Sequence, residues 1–224
     1  MPTYATFCGA LALGSLLLAG CVSKTTEQTQ YSGFLPGYQN LQEAKSPSGQ
    51  PVLRWVSPSF DSANYDTVAF DKLVLYPAPK PDDRVDLKTL QELQLYASNS
   101  VKSVLSKRYL LVPERQAAPP GSHVLEMHAA ITGVSASNEG MHWYEVVPVA
   151  AVVGAVSAAS GHRDQNTELY VEAYFVDAGS GQTVAKVVRK VFGETLSNES
   201  EKITADDFKT AIRGLTGDMA AFFK

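Results

Sequence analysis

The chain has 224 residues, a formal charge of −4 at neutral pH, 45% hydrophobic and 19% charged residues, 16 glycines and 12 prolines. This is ordinary globular usage, which excludes collagen-like, low-complexity and disulfide-scaffold classes. No concentrated basic stretch offsets the negative balance, so neither phosphate-backbone binding nor charge attraction to an anionic lipid surface is expected.

The first element in chain order is an apolar run from Phe7 to Gly20, closed by Leu18-Ala19-Gly20-Cys21. Crossing the hydrocarbon core takes about 20 apolar residues, so a shorter run ending in small residues reads as a cleavable secretory signal and not as a span. Leu18 to Cys21 resembles the lipobox of bacterial lipoproteins, although the segment Met1 to Thr6 lacks the usual Lys or Arg. The resemblance implies cleavage before Cys21, lipidation of its thiol with diacylglycerol and acylation of the new amine. Residues 1–20 are then a signal peptide, and the membrane is reached through lipid. Val22 is not the Asp that commonly retains such proteins at the inner membrane, so the resemblance implies an outer-membrane anchor with the domain in the periplasm. The only two cysteines, Cys8 and Cys21, both lie in this leader region, which leaves core burial to hold the mature body together without a disulfide.

Val22 to Gln30 is polar, and residues 21–30 read as a lipidated, solvated tether that reaches only about 30 Å when extended. Ser32-Gly33-Phe34-Leu35, followed by Tyr38 and Leu41, resembles the opening pattern of a bacterial lipoprotein family, domain of unknown function 3313. That family implies an outer-membrane lipoprotein and carries no activity to transfer. The residues themselves predict a docking segment in which Phe34, Tyr38 and Leu41 plug into the body.

Residues 31–224 are expected to form a single periplasmic α+β domain, a mainly antiparallel sheet with two long helices packed on one face. Strands are predicted over 50–56, 67–76, 110–113, 123–135, 167–177 and 182–192, the last two as a hairpin across Ala178-Gly179-Ser180-Gly181. Asp86 caps a helix running to about Arg108 on the stripe Leu90, Leu93, Ala97, Val101 and Leu105. Tyr76 to Pro81 is an extended proline-rich connector. Thr204 and Asp207 approximate a capping box before a second helix carrying Phe208, Ile212, Leu215, Met219 and Phe222. Gly214 and Gly217 weaken that helix, and their placement predicts close approach to the sheet.

Trp143 to Arg163 does not fit an ordinary domain. Trp143 and Tyr144 precede an apolar run in which Ala150, Gly154 and Ala158 place small residues at every fourth position. About 15 residues of helix span roughly 22 Å, too short to cross a bilayer. Three readings stay open: a buried helix or packed loop, a self-association or partner face of closely approaching backbones, and shallow insertion into the leaflet that holds the lipid.

Catalytic signals are lacking: there is no Gly-x-Ser-x-Gly elbow, Ser-x-x-Lys, His-Glu-x-x-His, Cys-x-x-Cys or phosphate-binding loop. His123 and His128 sit an odd number apart on one strand and face opposite ways, so they do not form a metal site, and Asp82-Asp83, Glu199/Glu201 and Asp206-Asp207 read as solvated or helix-start carboxylates. The expectation is a non-enzyme without cofactor or nucleic acid, bound to the membrane by lipid, that binds or organises another envelope component or associates with itself. Two alternatives remain: an accessory subunit of an envelope transporter or cell-wall synthase, and an enzyme with a dispersed site.

Overall fold

The computed structural model describes residues 25–137, 165–198 and 200–224. Within them lie eight strands, β1 (Gln42–Lys45), β2 (Pro51–Val56), β3 (Thr67–Ala69), β4 (Val74–Leu75), β5 (Leu110–Val112), β6 (Val124–Ser137), β7 (Gln165–Asp177) and β8 (Gln182–Leu196), and two helices, α1 (Leu87–Leu105) and α2 (Lys209–Phe222). The strands form one sheet in the order β1-β2-β8-β7-β6-β3-β5, with β4 also paired to β6.

The fold class is α+β as expected, but the sheet is mixed. β3 runs parallel to both β5 and β6, and β4 runs parallel to β6, while the remaining pairs are antiparallel. The reason is the crossover through α1, which returns the chain to β5 in the direction of β3; a hairpin cannot do this, and a long helix can. The single strand predicted over 67–76 is also broken in two. Phe70 and Leu73 turn into the core at the break, each 3% exposed. The lost ladder is replaced from α1: Ser98 Oγ accepts from the Leu73 amide at 3.0 Å, and Gln94 Nε2 donates to the Leu73 carbonyl at 2.7 Å.

α1 begins where the sequence places it. The Asp86 carboxylate accepts from the Thr89 amide at 2.7 Å, satisfying one of the orphan donors of the first turn. Its stripe of Leu90, Leu93, Ala97, Val101 and Leu105 is buried against Leu125, Ile131 and Leu169 of the sheet. Full burial of each leucine contributes about 1.5–3 kcal/mol. α2 packs beside α1 on the same face through Ile212, after a 3₁₀ turn that buries Phe208 completely. At that turn only half of a capping box forms, with the Asp207 carboxylate accepting from the Thr204 amide at 2.7 Å.

The hairpin of β7 and β8 is, with the pairing of β6 and β7, one of the two longest in the sheet. Asp177 closes its turn by accepting from the Ser180 amide and hydroxyl, and Gly181 supplies the positive φ of 70°. Alternation divides β7 as expected: Leu169, Ala173 and Phe175 face the helices, while Glu168, Tyr170 and Glu172 face away. The second face is nevertheless not solvated, since those three residues are only 2%, 2% and 1% exposed.

Close backbone approach occurs at a different glycine from those the sequence pointed to. A Cβ on Gly214 or Gly217 would meet nothing within 4 Å, whereas one on Gly193 of β8 would lie 2.5 Å from the Asp207 carbonyl and 2.8 Å from the Phe208 ring. Phe208 is thus seated directly over β8, and any side chain at 193 displaces it. Gly193→Ala is expected to cost about 1–3 kcal/mol in denaturant unfolding through overpacking. Gly214→Ala, exposed on α2, should instead stabilise by about 0.5–1 kcal/mol through helix propensity. Equal effects at the two positions would contradict this placement of α2.

Candidate functional site

Between α2 and the sheet lies a cavity of about 160 Å³. Its walls are apolar, drawn from Val52, Val187 and Ala185 on the strands, Val101 on α1, and Met219 and Phe222 on α2. Polar groups gather at Ser46, Arg54, Arg189 and Asp218. Arg189 Nη1 donates to Asp218 Oδ2 at 3.0 Å, with the two side chains 8% and 7% exposed. The turn between β1 and β2 completes this arrangement: Ser48 donates to the Asp218 carboxylate from its amide at 2.8 Å and from its hydroxyl at 3.0 Å. Burial pushes the Asp218 carboxyl up, but hydrogen bonds from Ser46, Ser48 and Arg189 outweigh it and hold the group below the ordinary carboxylate range. Arg189 Nε is buried and finds no acceptor among the described residues.

On the opposite face the N-terminal segment straps the sheet. Glu172 accepts from the Ser32 amide at 3.0 Å and from the Tyr38 hydroxyl at 2.6 Å, and the same hydroxyl accepts from the Gly33 amide at 2.8 Å. Gly33 holds φ at +86°, a conformation that favours glycine. Tyr31 stacks on Tyr38 at 4.3 Å, Phe34 lies against Tyr76 and Tyr174, and Lys186 Nζ donates to the Gly37 and Gln39 carbonyls at 2.9 Å each. Burial and donation to Glu172 push the Tyr38 hydroxyl up to about 12. Beside the strap, Lys190 and Glu168 form a second buried pair at 2.9 Å, and the Tyr170 hydroxyl donates to Glu168 at 2.6 Å.

Every residue of the short family-like pattern therefore has a structural task. Phe34, Tyr38 and Leu41 do dock, packing around Leu35, Leu53 and Val188 on the second face and not in the main core. The strap also begins earlier than the tether reading implies. Thr26 is 4% exposed, Thr25 Oγ1 donates to Glu43 at 3.4 Å, and Gln28–Gln30 form a 3₁₀ turn.

Cys21, Trp143, Tyr144, Ala150, Gly154 and Ala158 lie outside the described residues. His123 and His128 are well apart in role: His123 Nδ1 is 3.1 Å from the Asn64 carbonyl, while the His128 ring stacks on Tyr174 at 4.6 Å. Among the described residues no group of three or more His, Cys, Asp or Glu side chains could hold a metal ion, and no helix is long and apolar enough to cross a membrane. Sequence reasoning missed Arg189, Asp218, Glu168 and Glu172. For Glu168, Glu172 and Arg189 the available signal was charge within two strands that otherwise read as β-branched and aromatic; Asp218, on α2, carried no such signal.

Removing one member of a buried pair leaves the other charge without compensation. Asp218→Ala should therefore cost about 3–5 kcal/mol in equilibrium unfolding. Since the Asp218 carboxyl titrates below its unfolded value, its contribution is present above about pH 4 and is lost as pH falls through the folded-state value. The acid limb of the stability curve should flatten in Asp218→Asn. Tyr38→Phe takes one donor from Glu172 and orphans the Gly33 amide, an expected cost of about 1–3 kcal/mol, and hydrogen exchange should localise the loosening to residues 31–41.

Comparison with known proteins agrees with the pattern in the strap. The chain is 41% identical over 218 residues to a protein of Escherichia coli K12 named uncharacterized lipoprotein YdcL, covering 97% of this chain and 94% of that one, and the same holds for its counterpart in Escherichia coli O157:H7. Among solved structures, the PelC dodecamer from Paraburkholderia phytofirmans is 11% identical with a TM-score of 0.39, over 75% of this chain and 96% of that one. A neuraminyllactose-binding hemagglutinin homolog from Helicobacter pylori is 11% identical with a TM-score of 0.42, over 74% and 86%. Both are distant likenesses. A family model described as protein of unknown function, DUF3313, matches residues 30–219, from the strap into α2, and the chain belongs to that family.

Proposed function

We propose that this protein is a lipid-anchored, non-catalytic envelope lipoprotein that binds or organises another component beside the outer membrane. The observation that carries the reading is the attachment of the body to the chain just after Cys21. Thr25 already contacts the body, and four extended residues reach only about 14 Å. A lipid on Cys21 thus holds the domain directly against its leaflet. The relative named as a lipoprotein is aligned over 97% of this chain, which supports the anchor. Chemistry points to binding over reaction: Asp218 and Arg189 at the cavity are paired with each other, and Glu168 and Glu172 are committed to Lys190 and to the strap.

Cys21→Ser is expected to move the protein from the membrane to the soluble fraction or to leave it uncleaved. Mass spectrometry of the wild-type N-terminal peptide should show diacylglycerol and one further acyl chain on Cys21, and an unmodified N-terminus upstream of Cys21 would overturn the reading. Inserting about 20 flexible residues after Lys24 should lengthen the leash without changing the melting temperature, because the packed residues of the described strap, from Thr26 onward, lie beyond the insertion.

A further inference from the structure

We propose that the cavity between α2 and the sheet binds one acyl chain carrying an anionic oxygen head, with its head at Arg189 and Arg54 and the first several carbons of its chain among the apolar walls. This deepens the binding reading above and rests on the body being a binder and not an enzyme. Three observations converge. The cavity measures about 160 Å³ and is lined by Val52, Val101, Ala185, Val187, Met219 and Phe222. A cavity of about 150 Å³ lined by Leu, Ile and Phe in another protein takes up benzene, so the apolar part of this space has room for about six carbons.

The second observation is Arg189 Nε. It belongs to a side chain 8% exposed that lines the cavity, and it has no acceptor among the described residues although Nη1 is spent on Asp218. A buried donor without an acceptor is costly, and a ligand oxygen satisfies it. The third is charge. Lys186 also lines the cavity, but its ammonium donates to the Gly37 and Gln39 carbonyls of the strap on the opposite face. Arg54, on the same lining, makes no ion pair or side-chain hydrogen bond among the described residues, so the two guanidiniums face one carboxylate and their surplus is a single positive charge. The matching occupant is a chain whose polar end carries one negative charge. Free fatty acids and single-chain phospholipids share that chemistry.

The test uses the full chain reconstituted in phosphatidylcholine nanodiscs, titrated with cis-parinaric acid against empty nanodiscs. Saturable binding at one site per chain is expected, with the methyl ester binding more weakly than the acid. Ala185→Leu fills the cavity and should weaken binding by about tenfold or more. Arg54→Gln, at a half-buried position, keeps the fold and should also weaken binding by about tenfold, as the loss of a charge-assisted contact predicts. Displacement by palmitate ahead of palmitoyl-lysophosphatidylglycerol assigns the site to fatty acids, and the reverse order assigns it to phospholipid. Uptake no greater than in empty nanodiscs, or binding that neither variant changes, overturns the proposal. If Cys21 still carries lipid in that case, the anchored, non-catalytic reading survives without this ligand.

Discussion

Both faces of the β7 and β8 ribbon are covered, and the rest of the molecule follows from that constraint. A strand with one wet face can leave its charges in water, but here Glu168, Glu172, Lys190 and Arg189 are all less than a tenth exposed. Isolated charges in such positions cost several kcal/mol each, so each must find a partner. Glu168 finds Lys190 across the strands, Glu172 finds the strap, and Arg189 finds Asp218 on α2. Partner choice thereby fixes what lies on each face. The strap register follows from where Ser32 and Tyr38 reach Glu172, and the seat of α2 follows from where Asp218 reaches Arg189 and Ser48.

Such pairs need not add net stability over well-packed apolar side chains. Their effect here is geometric. Hydrophobic contact alone lets α2 slide along an apolar sheet face, whereas the bond from Arg189 to Asp218 allows one seating. That seating leaves the cavity beside the pair. Gly193 acts in the same sense at the other end of the helix, where the absence of a Cβ lets Phe208 close onto β8.

Elements whose signal is local were legible in the sequence. The α1 stripe and its Asp86 cap, the hairpin across Gly179 and Gly181, and the outward and inward sets of β7 all follow from periodicity, capping and turn chemistry. What escaped is non-local. The parallel pairing of β3 depends on which strand a crossover returns beside, and the break after Ala69 depends on Ser98 and Gln94 far along the chain. β1 is a four-residue edge strand of polar and small residues, without a run of β-branched or aromatic side chains to mark it. Gly214 and Gly217 drew notice because glycine is rare in helices, while Gly193 looked like a weak point in a strand. Only the position of Phe208 separates the cases. The cavity was illegible for a similar reason: its lining comes from β2, β6, β7, β8 and both helices, and no local pattern predicts a gap among them.

The bond between Ser48 and Asp218 joins residues 170 apart in the chain. β2 pairs with β8, and the strap rests on β7 and β8, so nearly all of the described chain before Val56 is completed by residues from Gln165 onward. Contacts of this separation are slow to form, since loop-closure entropy is lost before any of them is gained. A chain made from its N-terminus therefore cannot finish folding while its last strand and helix are still being synthesised. The leading quarter stays unsettled until the C-terminus arrives, which makes the order of synthesis itself a brake on premature folding.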